Sequence, residues 1–179
     1  CLANSPANRD KYLIIGVKES SKTKHHSIVG VKSKDTNRKG TKEINDFLST
    51  KKFVGNIRPM VHVERIKINN KRVDVVVIES SNNVPFILAD DYCDQPKKAA
   101  PVTVRCAHLY SRVMDMNTSI DKTADNDITE LLWRRRFRID ATPIDKLTYY
   151  LSSPDDWMSL GEVSDNEFAY YYKYAPEYK

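Results

Sequence analysis

The amino-acid sequence predicts an α+β fold: a mixed β-sheet of roughly five or six strands flanked by about three helices. Three observations carry that expectation. Runs rich in strand-forming residues recur at Tyr12–Val17, Ile28–Val31, Met60–Ile68 and Arg72–Glu79. The last two are joined through Asn69-Asn70, a pair that tolerates the positive φ angles of a tight hairpin turn. Between Asp125 and Arg138 runs an amphipathic stretch that begins with acids and ends with arginines, the charge order a helix dipole favours.

Taken in order, Tyr12–Val17 is short and apolar and predicts a buried strand. Ile28–Val31 repeats its chemistry after the polar loop Lys18–Ser27, so the two should pair or lie side by side. Thr41–Thr50 predicts a helix capped by Thr41, with Ile44, Phe47 and Leu48 on one face. Arg72–Glu79 is apolar on both faces except at Asp74, as a central strand would be. Pro85–Ala89 reads as an edge strand and Tyr92–Pro101 as a loop.

Thr103–Val113 predicts one strand, with Tyr110 and Arg112 on one face and Arg105, Leu109 and Ser111 on the other. A strand with an arginine on each face is not built for burial alone. The connector Asp115–Thr123 is rich in residues that bond their own backbone and favour turns. In the helix that follows, Ile128, Leu131, Leu132 and Ile139 share a face and Trp133 pairs with Phe137 at i,i+4. Thr142-Pro143 opens another helix to about Leu151, which Pro154 stops. Phe168–Tyr174 is aromatic and extended.

With 179 residues, 40% of them hydrophobic and 30% charged, the chain describes a globular protein with no run near the roughly 20 apolar residues of a membrane span. No signal peptide is visible at CLANSPANRD, and the start on Cys1 suggests a piece of something longer. The 29 basic and 24 acidic residues leave a net charge of +5, which permits an anionic partner without demanding one. Cys1, Cys93 and Cys106 are odd in number and far apart, which argues against zinc and disulfide scaffolds and for a reduced, cytoplasmic setting. No Walker-type phosphate loop, G-x-S-x-G elbow or Cys/His nucleophile arrangement occurs.

Tyr110-Ser111-Arg112-Val113, Asn117-Thr118, Lys122-Thr123-Ala124-Asp125 and Leu132-Trp133-Arg134-Arg135-Arg136-Phe137 resemble the C-terminal part of the Schlafen AlbA-like domain. Ala3-Asn4, the G-V that ends Tyr12–Val17 and the V-x-V-V-V strand before Pro85 are similar too. The resemblance covers about residues 1–139, with 140–179 as a helix and aromatic tail packed on the same domain. It implies nucleic-acid binding, DNA included, with transcriptional regulation as a possible setting. Two departures stand out. Family members usually carry Arg-x-Gly where this chain has Arg112-Val113-Met114. The chain also starts after the element where nuclease members carry a pair of glutamates, which leaves Glu19 as the nearest match to their third acid.

The candidate residues follow from both lines. Arg105 and Arg112 suit phosphate, whose oxygens a guanidinium meets at two points; the plainer alternative is pairing with an acid such as Asp115 or Glu64. Arg134, Arg135 and Arg138 would track a nucleic-acid backbone, or simply complement the helix dipole. Lys18, Lys22 and Lys24 form a basic loop with His25 and His26, which lack a third metal ligand. Glu19 is the candidate catalytic acid of a nuclease, which would need a divalent metal and more carboxylates; otherwise it is a solvated surface acid. Tyr170, Tyr171, Tyr172 and Tyr174 suit packing or a homodimer interface better than base stacking. The leading expectation is therefore a nucleic-acid-binding domain. The alternatives are a metal-dependent nuclease with part of its site outside this chain, and an oligomerisation or interaction module.

Overall fold

The computed structural model describes residues 1–19, 25–32, 35, 37–95, 100–159 and 170–173. It divides into two compact units, Cys1–Phe137 and Arg138–Lys179.

In the first unit, β1 (Lys11–Ile15) leads through Gly16 into β2 (Val17–Lys18), which pairs with β3 (Ser27–Ile28). α1 (Thr41–Ser49) follows, and then β4 (Val61–Ile68) and β5 (Lys71–Ile78) form the longest hairpin. Its turn is Asn69-Asn70, both at positive φ (48° and 60°), as their ability to enter the left-handed region predicts. β1 adds antiparallel to the far side of β5, giving a three-stranded sheet in the order β1-β5-β4. β6 (Tyr92–Asp94) pairs with β7 (Val102–Val104), and β8 (Arg112–Val113) with β9 (Met116–Asn117). α2 (Asn126–Arg136) closes the unit.

The fold is α+β, but its strands form one three-stranded sheet and several two-stranded pairs rather than a single sheet of five or six strands. Thr103–Val113 is the clearest reason. Instead of one strand, it is broken between β7 and β8 by a turn in which Ala107 takes φ 57°. The break is held from outside the segment: Cys106 N–H donates to Asp91 Oδ1 (2.6 Å) and Ala107 N–H to the Leu88 carbonyl (3.1 Å). Tyr92–Asp94, read as loop, is strand. Pro85–Ala89 is no strand and makes only an isolated bridge between Phe53 and Leu88.

β5 is central as expected, with Val73 and Val77 buried. β1 is not the buried strand its apolar run suggests: Tyr12, Leu13, Ile14 and Ile15 are all 45–58% exposed, because β1 lies at the sheet edge. A short apolar run does not by itself tell an edge strand from a core strand. The compact core lies elsewhere, where Val84, Phe86, Leu109, Ala124 and Leu132 meet, with Ala3, Phe53, Ile57 and Ile128 packed against them.

α1 is capped one residue earlier than the sequence suggests. Gly40 is the N-cap, and its N–H is bonded by the Glu43 carboxylate (2.9 Å). Thr41 instead accepts the Val63 N–H through Oγ1 (2.8 Å), and Asn45 Nδ2 donates to the Val61 carbonyl (3.0 Å). The helix is thereby tied to the outer edge of β4. α2 has the expected charge order, Asp127 in its first turn and Arg134, Arg135 and Arg136 in its last, and Trp133 stacks on Phe137 at 5.5 Å. Its buried face is narrower than predicted: Leu132 is fully buried but Leu131 is exposed, and Ile139 lies past the helix end, exposed, in the second unit.

The second unit holds α3 (Pro143–Leu151), capped by Thr142 with Pro143 at its first position, and the pair β10 (Trp157–Ser159) and β11 (Tyr170–Tyr172). Tyr172 is buried between Tyr150 (4.5 Å) and Trp157 (5.7 Å), so that part of the aromatic tail packs within its own unit. Phe168 and Tyr174 lie outside the described residues. No described helix is long and apolar enough to cross a membrane.

Candidate functional site

The segment Leu109–Arg112 is held on both sides by side chains that replace sheet partners. Asn4, 3% exposed, donates through Nδ2 to the carbonyls of Phe86 (2.8 Å) and Tyr110 (3.1 Å) and accepts the Phe86 N–H at Oδ1 (2.7 Å). Ser111 Oγ donates back to the Asn4 carbonyl (2.7 Å). From the other side the connector folds over the segment. Leu109 N–H donates to Thr123 Oγ1 (3.0 Å), Ser111 N–H to Thr118 Oγ1 (3.1 Å), and Ala124 N–H to the Leu109 carbonyl (2.7 Å). Thr and Ser side chains bond backbone readily, which is why a connector of this composition can order itself without a sheet.

One arginine projects from this segment and a second, Arg105, from the turn before it. Arg112 donates through Nη1 to Asn117 Oδ1 (3.1 Å), across the β8–β9 hairpin, and its Nη2 lies 3.6 Å from Asp115 Oδ1. Asp115 is fully exposed, so water competes for this contact and the ion pair is worth little. The guanidinium is thus oriented by Asn117 while still 31% exposed. Arg105 is also exposed, in the turn after β7, and its backbone N–H donates to the Tyr110 hydroxyl (3.1 Å), which itself donates to the Ile120 carbonyl (2.9 Å). One tyrosine therefore fixes both the Arg105 backbone and the connector.

Beside Arg112 opens a cleft of about 400 Å³ whose polar lining includes Asn117, Thr118, Ser119, Lys122 and one acid, Asp125, with Val113, Met116 and Ile128 as its apolar wall. Lys122 and the Asn117 amide are the donors suited to an oxyanion there, since the Ser111 and Thr118 hydroxyls already donate to the Asn4 and Ser111 carbonyls. Lys122 was not singled out by the sequence, although it stands inside the Lys-Thr-Ala-Asp string.

The remaining candidates are dispersed. Arg134 pairs with Glu130 at i,i+4 (3.2 Å) on the exposed side of α2. Arg135 turns inward: it donates to the Pro6 carbonyl, its Nη1 is buried without a bonding partner, and burial lowers its pKa. Arg136, by contrast, lies over the Trp133 ring at 5.4 Å. Arg138 belongs to the second unit, where it sits 3.4 Å above the ring of Tyr149. Lys18 is exposed in β2, while Lys22 and Lys24 lie outside the described residues. Glu19 is exposed just after β2, and among the described residues no group of three or more His, Cys, Asp and Glu side chains could hold a metal ion. The described donors do not by themselves fit a divalent cation.

The family model described as Schlafen, AlbA_2 matches residues 1–121, and the chain belongs to that family. No curated protein and no solved structure matches the chain. The matched range takes in Asn4, Arg105, Arg112 and the Thr118 clamp, and ends before the Leu132–Phe137 string on α2.

Met114, where relatives usually carry glycine, adopts φ 52° at the tip of the β8–β9 hairpin and is 90% exposed. An L-residue in this region is strained, and an exposed side chain gives nothing back. Met114→Gly is expected to raise stability by about 0.5–1 kcal/mol, since relief of the strain outweighs the entropy glycine loses on folding. A lower urea midpoint for the variant would contradict this.

Proposed function

We propose that the chain is a nucleic-acid-binding domain that meets backbone phosphates through Arg112 and the cleft beside it. One observation carries the reading: a guanidinium oriented by Asn117, whose ion-pair partner Asp115 is fully exposed, next to a cleft that holds Lys122. Membership of a Schlafen AlbA family supports it, as does the net charge of +5. Arg105 and Arg134 add positive charge within the first unit. The free cysteines Cys1, Cys93 and Cys106 accord with the cytoplasm as its compartment.

The test is fluorescence anisotropy with labelled single-stranded RNA and double-stranded DNA over a series of salt concentrations. Binding should weaken steeply as salt rises, because each neutralised phosphate releases counterions. Arg112→Ala should lower affinity about tenfold, the worth of one charged hydrogen-bonded contact, and reduce the salt slope by about 1. Absence of binding to both probes at low salt would overturn the proposal. Mg²⁺- or Mn²⁺-dependent cleavage that is lost in Glu19→Gln would replace it with the nuclease alternative.

A further inference from the structure

The turn end of the β4–β5 hairpin carries a second basic cluster, away from the residues invoked above. Alternation places Arg65 and Lys67 of β4 on the same face as Arg72 and Asp74 of β5. Arg65 stands opposite Asp74, and Lys67 stands directly opposite Arg72. Arg65 and Lys67 are two residues apart, a separation of about 7 Å along the strand. Together with Arg38 and Ile66, these three cations line an open cleft of about 260 Å³ that has no carboxylate in its wall.

The nearby acids are already committed. Asp74 is 2% exposed and receives both Arg38 Nε and Nη2 at 2.5 Å, a two-point pair that uses both of its oxygens. Glu43 accepts the Gly40 N–H. Among the described residues, Lys67 and Arg72 make no side-chain hydrogen bond and no ion pair, while Arg65 lies near enough to Asp74 and Glu43 to help lower the pKa of both carboxyls. Lys71, their neighbour, is used differently, donating to the Ile28 carbonyl (2.6 Å). Directly opposed like charges on adjacent strands destabilise a sheet. Lys67 facing Arg72 therefore works against the hairpin unless an anion sits between them.

The position is also well supported. The Arg72 carbonyl accepts the Val31 N–H (2.7 Å), and Gly30 packs so closely that a Cβ there would lie 3.0 Å from the Lys71 Cβ. The backbone beneath the cations is thus fixed by a neighbouring loop. Three cations on a firm hairpin, where the one carboxylate opposite them, Asp74, is already held at both oxygens by Arg38, match the charge of a phosphate group.

We infer that this cleft binds a phosphate group, with a nucleic-acid backbone as its bearer, at a point separate from Arg112. The bearer rests on the function proposed above; the phosphate chemistry does not. Two measurements separate these parts. In the first, the full chain labelled with ¹⁵N is titrated with pyrophosphate, which should shift the signals of residues 65–72 saturably; Lys67→Gln/Arg72→Gln should abolish those shifts. Shifts that are absent at millimolar pyrophosphate, or that survive in the variant, overturn the inference.

In the second, oligonucleotide binding is followed against salt. The double variant should weaken it about tenfold and lower the salt slope by about 1–2, while Arg112→Ala acts in addition. If the wild type binds oligonucleotide and the double variant matches it in affinity and slope, the cleft does not serve nucleic acid and the inference fails, with the proposed function intact. If pyrophosphate binds at the hairpin but no oligonucleotide binds at all, the proposed function fails and the cleft stands as a site for free phosphates. The variant relieves like-charge repulsion, so it should fold at least as stably as the wild type. A clear fall in its urea midpoint would instead make these cations structural and count against the inference.

Discussion

Asp74→Ala is expected to destabilise the first unit by about 3 kcal/mol, at the low end of the cost of breaking a buried ion pair. Asp74 lies in the central strand with its side chain 3% exposed, and Arg38 with its side chain 13% exposed meets it at two points. Removing the carboxylate leaves a guanidinium beside Arg65 and near the other cations of the hairpin, which repel it. The low end applies because Arg38 comes from a loop and can turn toward water.

The effect should depend on pH with a definite sign. The Arg38 guanidinium holds the Asp74 carboxyl below the usual aspartate range. A depressed value means that the folded state binds fewer protons than the unfolded one, so stability rises with pH across the interval. The gap between wild type and variant should be full above the unfolded aspartate value of about 3.9. It should shrink as pH falls through the folded value. Urea unfolding followed by Trp133 fluorescence, in a Trp157→Phe background that silences the second unit, reads this directly. A gap of the same size at strongly acidic pH would show that the ion pair is not its source.

Asn4→Ala should cost about as much, roughly 3 kcal/mol, by a different route. The side chain satisfies three backbone groups at once: the Phe86 N–H, the Phe86 carbonyl and the Tyr110 carbonyl. Left buried and unbonded, such groups cost about 1–3 kcal/mol each, reduced here by whatever water enters the space vacated. Asn4→Asp should be no milder, since it keeps the acceptor for Phe86 N–H but loses both donors and buries a charge. Because Asn4 also anchors the strand end from which Arg112 projects, binding should fall in both variants even where they remain folded. Full stability in Asn4→Ala would mean that the Ser111 hydroxyl and the threonine clamps suffice.

Much of the frame is legible in the sequence because it is local. Asn69-Asn70 announces its turn by residue type alone, Thr142-Pro143 announces a helix start, and the acid-to-arginine order of α2 follows from neighbours within a few positions. What fails is what depends on distant partners. Alternation from Thr103 to Val113 gives no hint that Asp91 and Leu88 will pull the chain into a turn at Cys106-Ala107. The apolar run of β1 does not disclose that it will lie at an edge.

The site divides in the same way. Arg112 is recoverable from its motif, and its partner Asp115 from proximity. That Arg135 points inward is decided by the carbonyl of Pro6, far away in sequence. The string Arg65-Ile66-Lys67-Ile68-Asn69-Asn70-Lys71-Arg72 does carry a signal, since a hairpin register follows from its turn. Its meaning depends on Asp74 already being claimed by Arg38, which no local rule supplies.

The attachment of α1 to β4 gives the three-stranded sheet a direction. Thr41 and Asn45 occupy hydrogen-bonding groups that another strand would need at that border, as side chains in place of a backbone. The opposite border, along β1, carries apolar side chains that face water on both surfaces. A further strand, whether from the same polypeptide or from another, therefore meets a blocked border at the Val61–Val63 end of β4 and no such block from α1 along β1. The sheet is asymmetric in how it can grow, and two residues of α1, Thr41 and Asn45, set that polarity.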